Sequence, residues 1–303
     1  MMRWSGPAVT FGAGLLACRI ATVDPAGHPC PCGDGLRCDP ATNLCTRADA
    51  GVLIDTPMID SPRDARALPP HFLFHLDEGS GTVAHDASGV GGDGSAGSGT
   101  TWLPAGGKLG GALHLDSSAA SSNMSFPTGC TTEPMWTSSF TIALWAKFDA
   151  LHPSGTYDTM GDFAAVQGSS GGTQGGWGIG STDKCTGSGS YRAAIEVASG
   201  SAGSTRTIDC GTTALAPGTW YHLIGAYDAA AARLAIYVNG VLEPGSLVGT
   251  VPAAAFVPPS CPRLGGPLNN PPAGITGSVD EVEIFDLAVT DAEAARIFQA
   301  AGG

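Results

Sequence analysis

The stretch of residues 278–286 constrains the fold more than any other part of the chain. Its sequence, SVDEVEIFD, is rich in β-branched and aromatic residues, which favours a β-strand. Because successive side chains of a strand point to opposite faces, Asp280, Val282 and Ile284 are predicted to share the inward face. The opposite face carries Val279, Glu281, Glu283 and Phe285. An inward carboxylate needs hydrogen bonds, a cation or a ligand to offset its lost hydration, so Asp280 marks a candidate site.

A short helix is predicted directly after this strand. Thr290 is suited to the N-cap, and Glu293 follows it at the capping-box spacing, ahead of a helical segment that ends near residue 298.

Many short strands are predicted before it. Residues 140–148 alternate with one continuously apolar face, which indicates a core strand. Residues 220–227 and 233–238 are predicted to form a hairpin, and Asn239-Gly240 is the strongest short turn signal in the sequence. The 45 glycines and 22 prolines suit a chain with many turns. We expect an all-β fold, a two-sheet antiparallel jelly-roll sandwich.

The order of these motifs resembles the LamG-like domains of the concanavalin A-like lectin/glucanase superfamily. The segments that carry the resemblance are residues 74–82, 86–89, 107–116, 140–147, 219–223, 235–240 and 277–286. The resemblance spans most of the chain from about His71 onward and implies that the first and last strands of the domain are neighbours. It also implies a surface recognition module, of which many relatives hold calcium at an edge of the sandwich.

The N-terminal part of the chain is predicted to direct export. Residues 1–17 have the basic and then apolar pattern of a signal peptide, and Leu15-Leu16-Ala17-Cys18 looks like a bacterial lipobox with Cys18 as the lipidated residue. A plain secretory signal cut elsewhere is the alternative. We therefore expect a protein outside the cytoplasm, lipid-anchored in the bacterial cell envelope and touching the membrane only through that anchor.

The remaining chain divides into three predicted segments: a cysteine-rich segment (18–47), a linker rich in proline and aspartate (48–70) and the jelly-roll domain (71–303). The eight cysteines other than Cys18 form an even set, which indicates disulfides. They are Cys30, Cys32, Cys38 and Cys45 in the small segment, and Cys130, Cys185, Cys210 and Cys261 in the domain. Zinc bound by the first four, beside His28, is the alternative. In the domain, the pairs Cys185–Cys210 and Cys130–Cys261 are preferred over the other connectivities.

The acidic composition of the chain is compatible with a calcium site or with neutral sugars as ligands. The net charge of −13 excludes nucleic acid and anionic membranes as natural partners. Hard cations bind carboxylate and carbonyl oxygens. Because the resemblance implies that the first and last strands are neighbours, Asp77 and Asp280 are the predicted calcium ligands, with Asp86 and Asp116 as weaker candidates. The alternative is that Asp77 and Asp280 accept hydrogen bonds from loop amides.

Two further kinds of site are predicted from side-chain chemistry. Glu281, Glu283 and Asp286 imitate the acid spacing of laminarinase-type glucanases in the same superfamily, with the middle and last acids exchanged, so polysaccharide hydrolysis stays open as an alternative. Sugar-binding modules of this shape use aromatic platforms together with hydrogen bonds from amides and carboxylates, here near glycine-rich loops. The candidates are Trp136, Tyr157, Trp177 and Tyr191.

The function predicted from the sequence is non-catalytic recognition at the cell surface. The expected partner is carbohydrate, a glycosylated partner or a matrix-like protein. The alternatives are a glucanase-type polysaccharide hydrolase and a purely structural or adhesion domain that binds only protein.

Overall fold

A computed structural model describes most of the chain and divides it into two compact units, Met1–Arg63 and Asp64–Gly303. The described residues are 36–39, 44–47, 68–116, 118–119, 121–127, 138–150, 161–165, 176–183, 185, 190–199, 205–255, 261–265 and 276–303. For 36–39, 44–47 and 161–165 the description is limited to the strands and their pairing. In the first unit, β1 (Leu36–Asp39) pairs antiparallel with β2 (Leu44–Arg47), with Cys38 opposite Cys45.

The described part of the second unit consists of short antiparallel strands and one helix, as predicted. The strands are β3 (Phe72–Phe74), β4 (Val83–Ala84), β5 (Gly94–Ala96), β6 (Thr101–Leu103), β7 (Ala112–Leu115), β8 (Met124–Ser125), β9 (Ser139–Phe148), β10 (Gly161–Ala165), β11 (Trp177–Thr182), β12 (Arg192–Ser199), β13 (Thr205–Ala214), β14 (Trp220–Asp228), β15 (Arg233–Val238), β16 (Val241–Leu242), β17 (Ser246–Val248), β18 (Arg263–Leu264) and β19 (Gly277–Phe285). The helix α1 spans Asp291–Ala300.

Within the described residues, these strands form two sheets that pack face to face. The back sheet has eight strands in the order β16-β15-β14-β9-β19-β7-β6, with β3 also paired to β19. The front sheet has nine, in the order β17-β13-β12-β11-β10-β18-β8-β5-β4. Their inner faces share one apolar core, to which Ile142 and Leu144 contribute from the back sheet and Ile179 and Ile195 from the front sheet. This arrangement confirms the jelly-roll sandwich.

The two ends of the domain meet in the back sheet, as the sequence predicts. Phe74 is paired with Val282, and Phe72 with Ile284. The predicted hairpin of β14 and β15 is present, and Asn239 and Gly240 turn the chain with φ of 50° and 76°. Positive φ at both central residues is the conformation that Asn-Gly favours in tight hairpin turns.

One prediction about β19 is wrong. Asp280 pairs with Trp145 and Glu283 with Ala143, so β19 has one residue more than β9 between these pairs. This bulge interrupts the alternation of side chains. As a result Val279 joins Val282 and Ile284 in the inter-sheet core, and Asp280 lies on the outer face of the back sheet.

Helix α1 packs on that outer face. Its capping box is present as predicted, because Thr290 Oγ1 accepts from the Glu293 amide and the Glu293 carboxylate accepts from the Thr290 amide. Ala294 and Ile297 pack against Ala143, Tyr237 and Phe285. Among the described residues, no helix has the length and apolar character needed to cross a membrane.

Candidate functional site

Asp280 and Asp77 both hold the loop of residues 106–111. Asp280 is fully buried, and its Oδ2 accepts hydrogen bonds from the amide of Leu109, at 2.8 Å, and from that of Lys108. Asp77 is exposed, and its Oδ1 accepts from the Gly111 amide. The second oxygen of Asp280, Oδ1, is buried and has no partner among the described residues. Burial raises the pKa of Asp280 to about 7, although the amide hydrogen bonds oppose the shift.

These contacts match the alternative in which the two carboxylates accept hydrogen bonds from loop amides. Calcium takes six to eight oxygen ligands, whereas the loop directs amide hydrogens at both Asp77 and Asp280. In the described part of the chain, no group of three or more His, Cys, Asp or Glu side chains is arranged to hold a metal ion. In this arrangement the residues do not fit a calcium ion, and calcium binding stays a prediction.

Two weaker candidates are also engaged locally. Asp86 accepts from the amides of Leu73, Ser88 and Gly92 and from the Ser88 hydroxyl. Asp116 accepts from the amide and hydroxyl of Ser118.

Glu281, Glu283 and His75 form a polar cluster next to the bulge. The Nδ1 atom of His75 lies 2.9 and 3.0 Å from the two carboxylate oxygens of Glu281. Burial raises the pKa of Glu281, an effect that His75 opposes. Burial, and then the charge of Glu281, raise the pKa of Glu283 to about 7. Glu281 and Leu76 have positive φ, 47° and 60°, so the backbone here is in a conformation that costs free energy for residues other than glycine.

A histidine, His222, lies in the same row of the back sheet as Asp280. His222 pairs with Trp145, which pairs in turn with Asp280, so the three side chains cross three adjacent strands on the outer face. His222 is fully buried between Trp145 and Phe298, and both of its ring nitrogens lack a hydrogen-bond partner among the described residues. Burial lowers its pKa to about 3, so this imidazole is neutral.

The predicted aromatic platforms are not assembled by the described residues. Trp177 is 4% exposed and packs in the inter-sheet core against Phe140, because its position on β11 points between the sheets. Tyr191 is 5% exposed, and burial, followed by the charge of Asp183, raises its pKa. Neither ring presents an open face to a ligand. Trp136 and Tyr157 lie outside the described residues.

The outer face of the front sheet carries two glycines beside an arginine–glutamate ion pair. Gly178 pairs with Glu196 and Gly180 with Ala194, so two neighbouring positions of β11 have no side chain. Beside them, the Arg206 guanidinium lies 2.8 Å from the Glu196 carboxylate. Gly178, Gly180 and Glu196 are buried, whereas Arg206 is partly exposed. A guanidinium–carboxylate pair offers both donors and acceptors.

A disulfide joins Cys185 and Cys210 on this same face, with Cα atoms 6.3 Å apart, as preferred from the sequence. Both sulfur-bearing residues pack with Ala194 and Ile208. Cys261 is also disulfide-bonded. Its predicted partner Cys130 lies outside the described residues, as do Cys18, Cys30 and Cys32.

Sequence reasoning missed His222, Lys108, Lys147, Glu196 and Arg206. Arg206 lies among other polar residues, and each of the other four is a single polar residue in an apolar or glycine-rich segment, so no spacing singles any of them out. A signal was available for the lysines, because the chain contains only three of them.

Comparison with known proteins identifies the fold. The family described as the concanavalin A-like lectin/glucanases superfamily matches residues 118–295, more than half of the chain. No curated protein matches the chain by sequence.

Among solved structures, domain 4 of AbnA, an extracellular arabinanase from Geobacillus stearothermophilus in complex with arabinotriose, is 19% identical with a TM-score of 0.53. The match covers 77% of this chain and 100% of that domain. The binding domain of Paraclostridial Mosquitocidal Protein 1 is 14% identical, with a TM-score of 0.56 over 77% of this chain and 52% of that one.

Trypanosoma rangeli sialidase, in complex with 2,3-difluorosialic acid, is 16% identical with a TM-score of 0.52, over 76% of this chain and 33% of the sialidase. The chain therefore spans about a third of that enzyme. At these identities the likeness establishes the fold.

Proposed function

The chain belongs to the concanavalin A-like lectin/glucanases superfamily, and we propose that it is a non-catalytic recognition domain that binds carbohydrate. The observation that carries this proposal is the match to a complete domain whose structure contains arabinotriose, which this chain covers over its whole length. That domain is domain 4 of an extracellular arabinanase. Function does not follow from fold alone, so the proposal also needs a site.

The outer face of the front sheet is the surface that we assign to the sugar. Gly178 and Gly180 contribute no side chains to this face, and both are buried, as is Glu196. Arg206 is the partly exposed member of the Glu196–Arg206 pair and is where a sugar would make contact. A sugar ring has hydroxyl groups in several directions, and a charged pair satisfies donors and acceptors at once.

A glycan array tests this assignment. We expect the full chain to bind at least one neutral glycan, and Glu196→Gln to weaken that binding about tenfold because the carboxylate acceptor is lost. Glu293→Gln, at the start of the helix on the back sheet, is the matched control and should leave binding unchanged. Binding that is unaffected by Glu196→Gln would place the sugar elsewhere. The absence of any glycan binding would favour the structural or adhesion alternative, in which a matrix-like protein is the partner.

Hydrolysis of polysaccharide is the second candidate, and one observation favours it. Glu283 has a raised pKa beside a second carboxylate, Glu281, and such a pair of acids with different environments is what acid–base catalysis uses. Against it, both oxygens of Glu281 lie within hydrogen-bonding distance of His75. Incubation with a β-glucan panel separates the two proposals. Release of reducing ends by the wild type that Glu281→Gln abolishes would establish the hydrolase.

We also propose that the domain is exported and anchored through Cys18. The support is the sequence pattern that ends in Leu15-Leu16-Ala17-Cys18. Cys18→Ala should move the protein from the membrane fraction to the soluble fraction of bacterial cells. If the variant fractionates like the wild type, the lipid anchor is excluded and a plain secretory signal is favoured.

A further inference from the structure

Two of the three lysines in this chain stand on tryptophan rings on one face of the back sheet. The Lys108 ammonium lies 4.4 Å from the centre of the Trp145 ring, and the Lys147 ammonium lies 4.9 Å from that of Trp220. The third is Lys184. For a chain with 27 acidic and 14 basic residues, this is a local concentration of positive charge.

Strand pairing places these groups side by side. Trp145 and Lys147 are two residues apart in β9 and so share the outer face, about 7 Å apart along the strand. Lys147 pairs with Trp220 on one side and with Ser278 on the other, and Ser278 pairs with His114. We call Lys108, Lys147, Trp220 and His114 the lysine shelf.

The shelf keeps its positive charge available. Neither ammonium has a carboxylate within 4.0 Å in the part of the chain that the structure describes, and an indole ring orients an ammonium without neutralising it. Among the described residues, the acids next to the shelf are Asp149, Asp280 and Asp77. Asp77 accepts from the Gly111 amide in the loop that carries Lys108. Asp149 lies 2.9 Å from His114 Nε2, and Asp280 is buried and bonded to loop amides. Lys108 is exposed, while Lys147, Trp220 and His114 are partly exposed.

We propose that the lysine shelf binds oxyanion groups, carboxylate or sulfate, of an acidic polysaccharide. The two ammonium groups pair with the oxyanions, and the partly exposed Trp220 and His114 contact the sugar rings. An acidic polysaccharide fits because partly exposed rings stand beside the two ammonium groups, so that sugar rings and oxyanions can be contacted together. This site is on the opposite sheet from the neutral-sugar face assigned above and does not depend on it.

Binding of the full chain to polygalacturonate, dextran sulfate and neutral dextran tests the proposal. We expect binding to one or both charged polymers, weakened by salt, and none to dextran. Lys108→Gln and Lys147→Gln should each weaken binding about fivefold, and the double variant about 25-fold. Lys184→Gln removes the same charge from another part of the sequence and should change the affinity less than about twofold. The two charged polymers distinguish a carboxylate ligand from a sulfate ligand.

Three outcomes would overturn the proposal: binding to neither charged polymer, equal weakening by Lys184→Gln, or equal binding of single-stranded DNA. A second measurement uses the wild-type chain and needs no variant. After reductive methylation with ¹³C, the three lysines give separate NMR signals, and indole ring currents should shift those of Lys108 and Lys147. Addition of the bound polymer should move these two signals and leave that of Lys184 in place. Movement of the Lys184 signal alone would contradict the proposal.

Discussion

Asp280 and Trp145 are directly paired across β19 and β9, on the face of the back sheet that the helix covers. Asp280 holds the 106–111 loop through the amides of Lys108 and Leu109, and Trp145 Nε1 donates to the carbonyl of Ala301 at 2.7 Å. The loop and the end of the chain therefore close over the same row of the sheet. Gly302, at the end of the chain, lies against the Leu109 side chain of the loop, so closely that a Cβ added at Gly302 would be 2.6 Å from Leu109 Cδ2.

Removal of the Asp280 carboxylate should loosen this closure. Asp280→Ala leaves two amides of the loop without acceptors, and we expect the free energy of unfolding to fall by about 2 kcal/mol. Urea denaturation measures the change. Asp286→Asn, at an exposed position just beyond the same strand, should change stability by less than about 0.5 kcal/mol. Equal effects of the two substitutions would mean that the loop does not depend on Asp280.

His222 should weaken the fold in acid. The pKa of His222 is about 3 in the folded state and 6.5 in the unfolded state. As the pH falls from 6.5 to 3, the unfolded state therefore binds a proton that the folded state does not, and the free energy of unfolding decreases. Phenylalanine has no such proton and fits between the two aromatic neighbours. Relative to the wild type, His222→Phe should gain about 3 kcal/mol of stability between pH 7 and pH 4.

Denaturant unfolding at several pH values measures this difference. His85→Gln alters an exposed histidine and should follow the wild-type pH profile. If His222→Phe also follows that profile, His222 does not titrate as its burial implies.

Glu243 should link the two sheets at their edge. Its carboxylate accepts from the amides and hydroxyls of Thr212 and Thr213 on β13. Burial opposes ionisation, but these four hydrogen bonds outweigh it and hold the pKa of Glu243 below its ordinary value. Glu243→Gln places an amide NH₂ group, a donor, opposite the amide and hydroxyl donors of Thr212 and Thr213. We expect the free energy of unfolding to fall by about 2 kcal/mol at neutral pH.

The loss should shrink in acid. A depressed carboxyl pKa contributes stability above the unfolded-state pKa, and that contribution disappears as the pH falls through the folded-state pKa. Thermal unfolding across this range provides the measurement. Thr213→Ser keeps the hydroxyl donor and serves as the control. A cost of Glu243→Gln that is constant with pH would show that the ionised carboxylate contributes nothing.

Calcium should leave the stability of the domain unchanged. The carboxylates of Asp77 and Asp280 already accept hydrogen bonds from Gly111 and Leu109, so an ion would have to compete with these amides. The thermal midpoint of the full chain should therefore be the same with excess calcium and with EGTA. A midpoint that rises with calcium in the wild type and not in Asp280→Asn would instead establish the predicted calcium role.

Local signals in the sequence predicted much of the fold. Asn239-Gly240, the Thr290–Glu293 capping box and the apolar face of residues 140–148 all depend on neighbouring residues alone, and the structure has each of them. The pairing of Phe74 with Val282 followed from the resemblance to a known family.

The side-chain directions that were predicted wrongly, those of Asp280 and Trp177, depend on the tertiary surroundings of each residue. Alternation cannot reveal the bulge at Asp280 and Glu281, where a positive φ moves Asp280 to the other face. In the same way, glycine-rich neighbours suggested that Trp177 lines a surface loop, whereas its strand directs the ring into the core. The choice of face is made by tertiary packing, which the sequence around Trp177 does not encode.

Calorimetric titration of the full chain with soluble neutral polysaccharides, arabinan and β-glucan among them, tests the central claim most directly when the same samples are assayed for reducing ends. The account predicts saturable binding to at least one polymer, weaker binding by Glu196→Gln, and no reducing ends. Reducing ends that appear with the wild type and vanish with Glu281→Gln would contradict it, as would the absence of binding to every polymer.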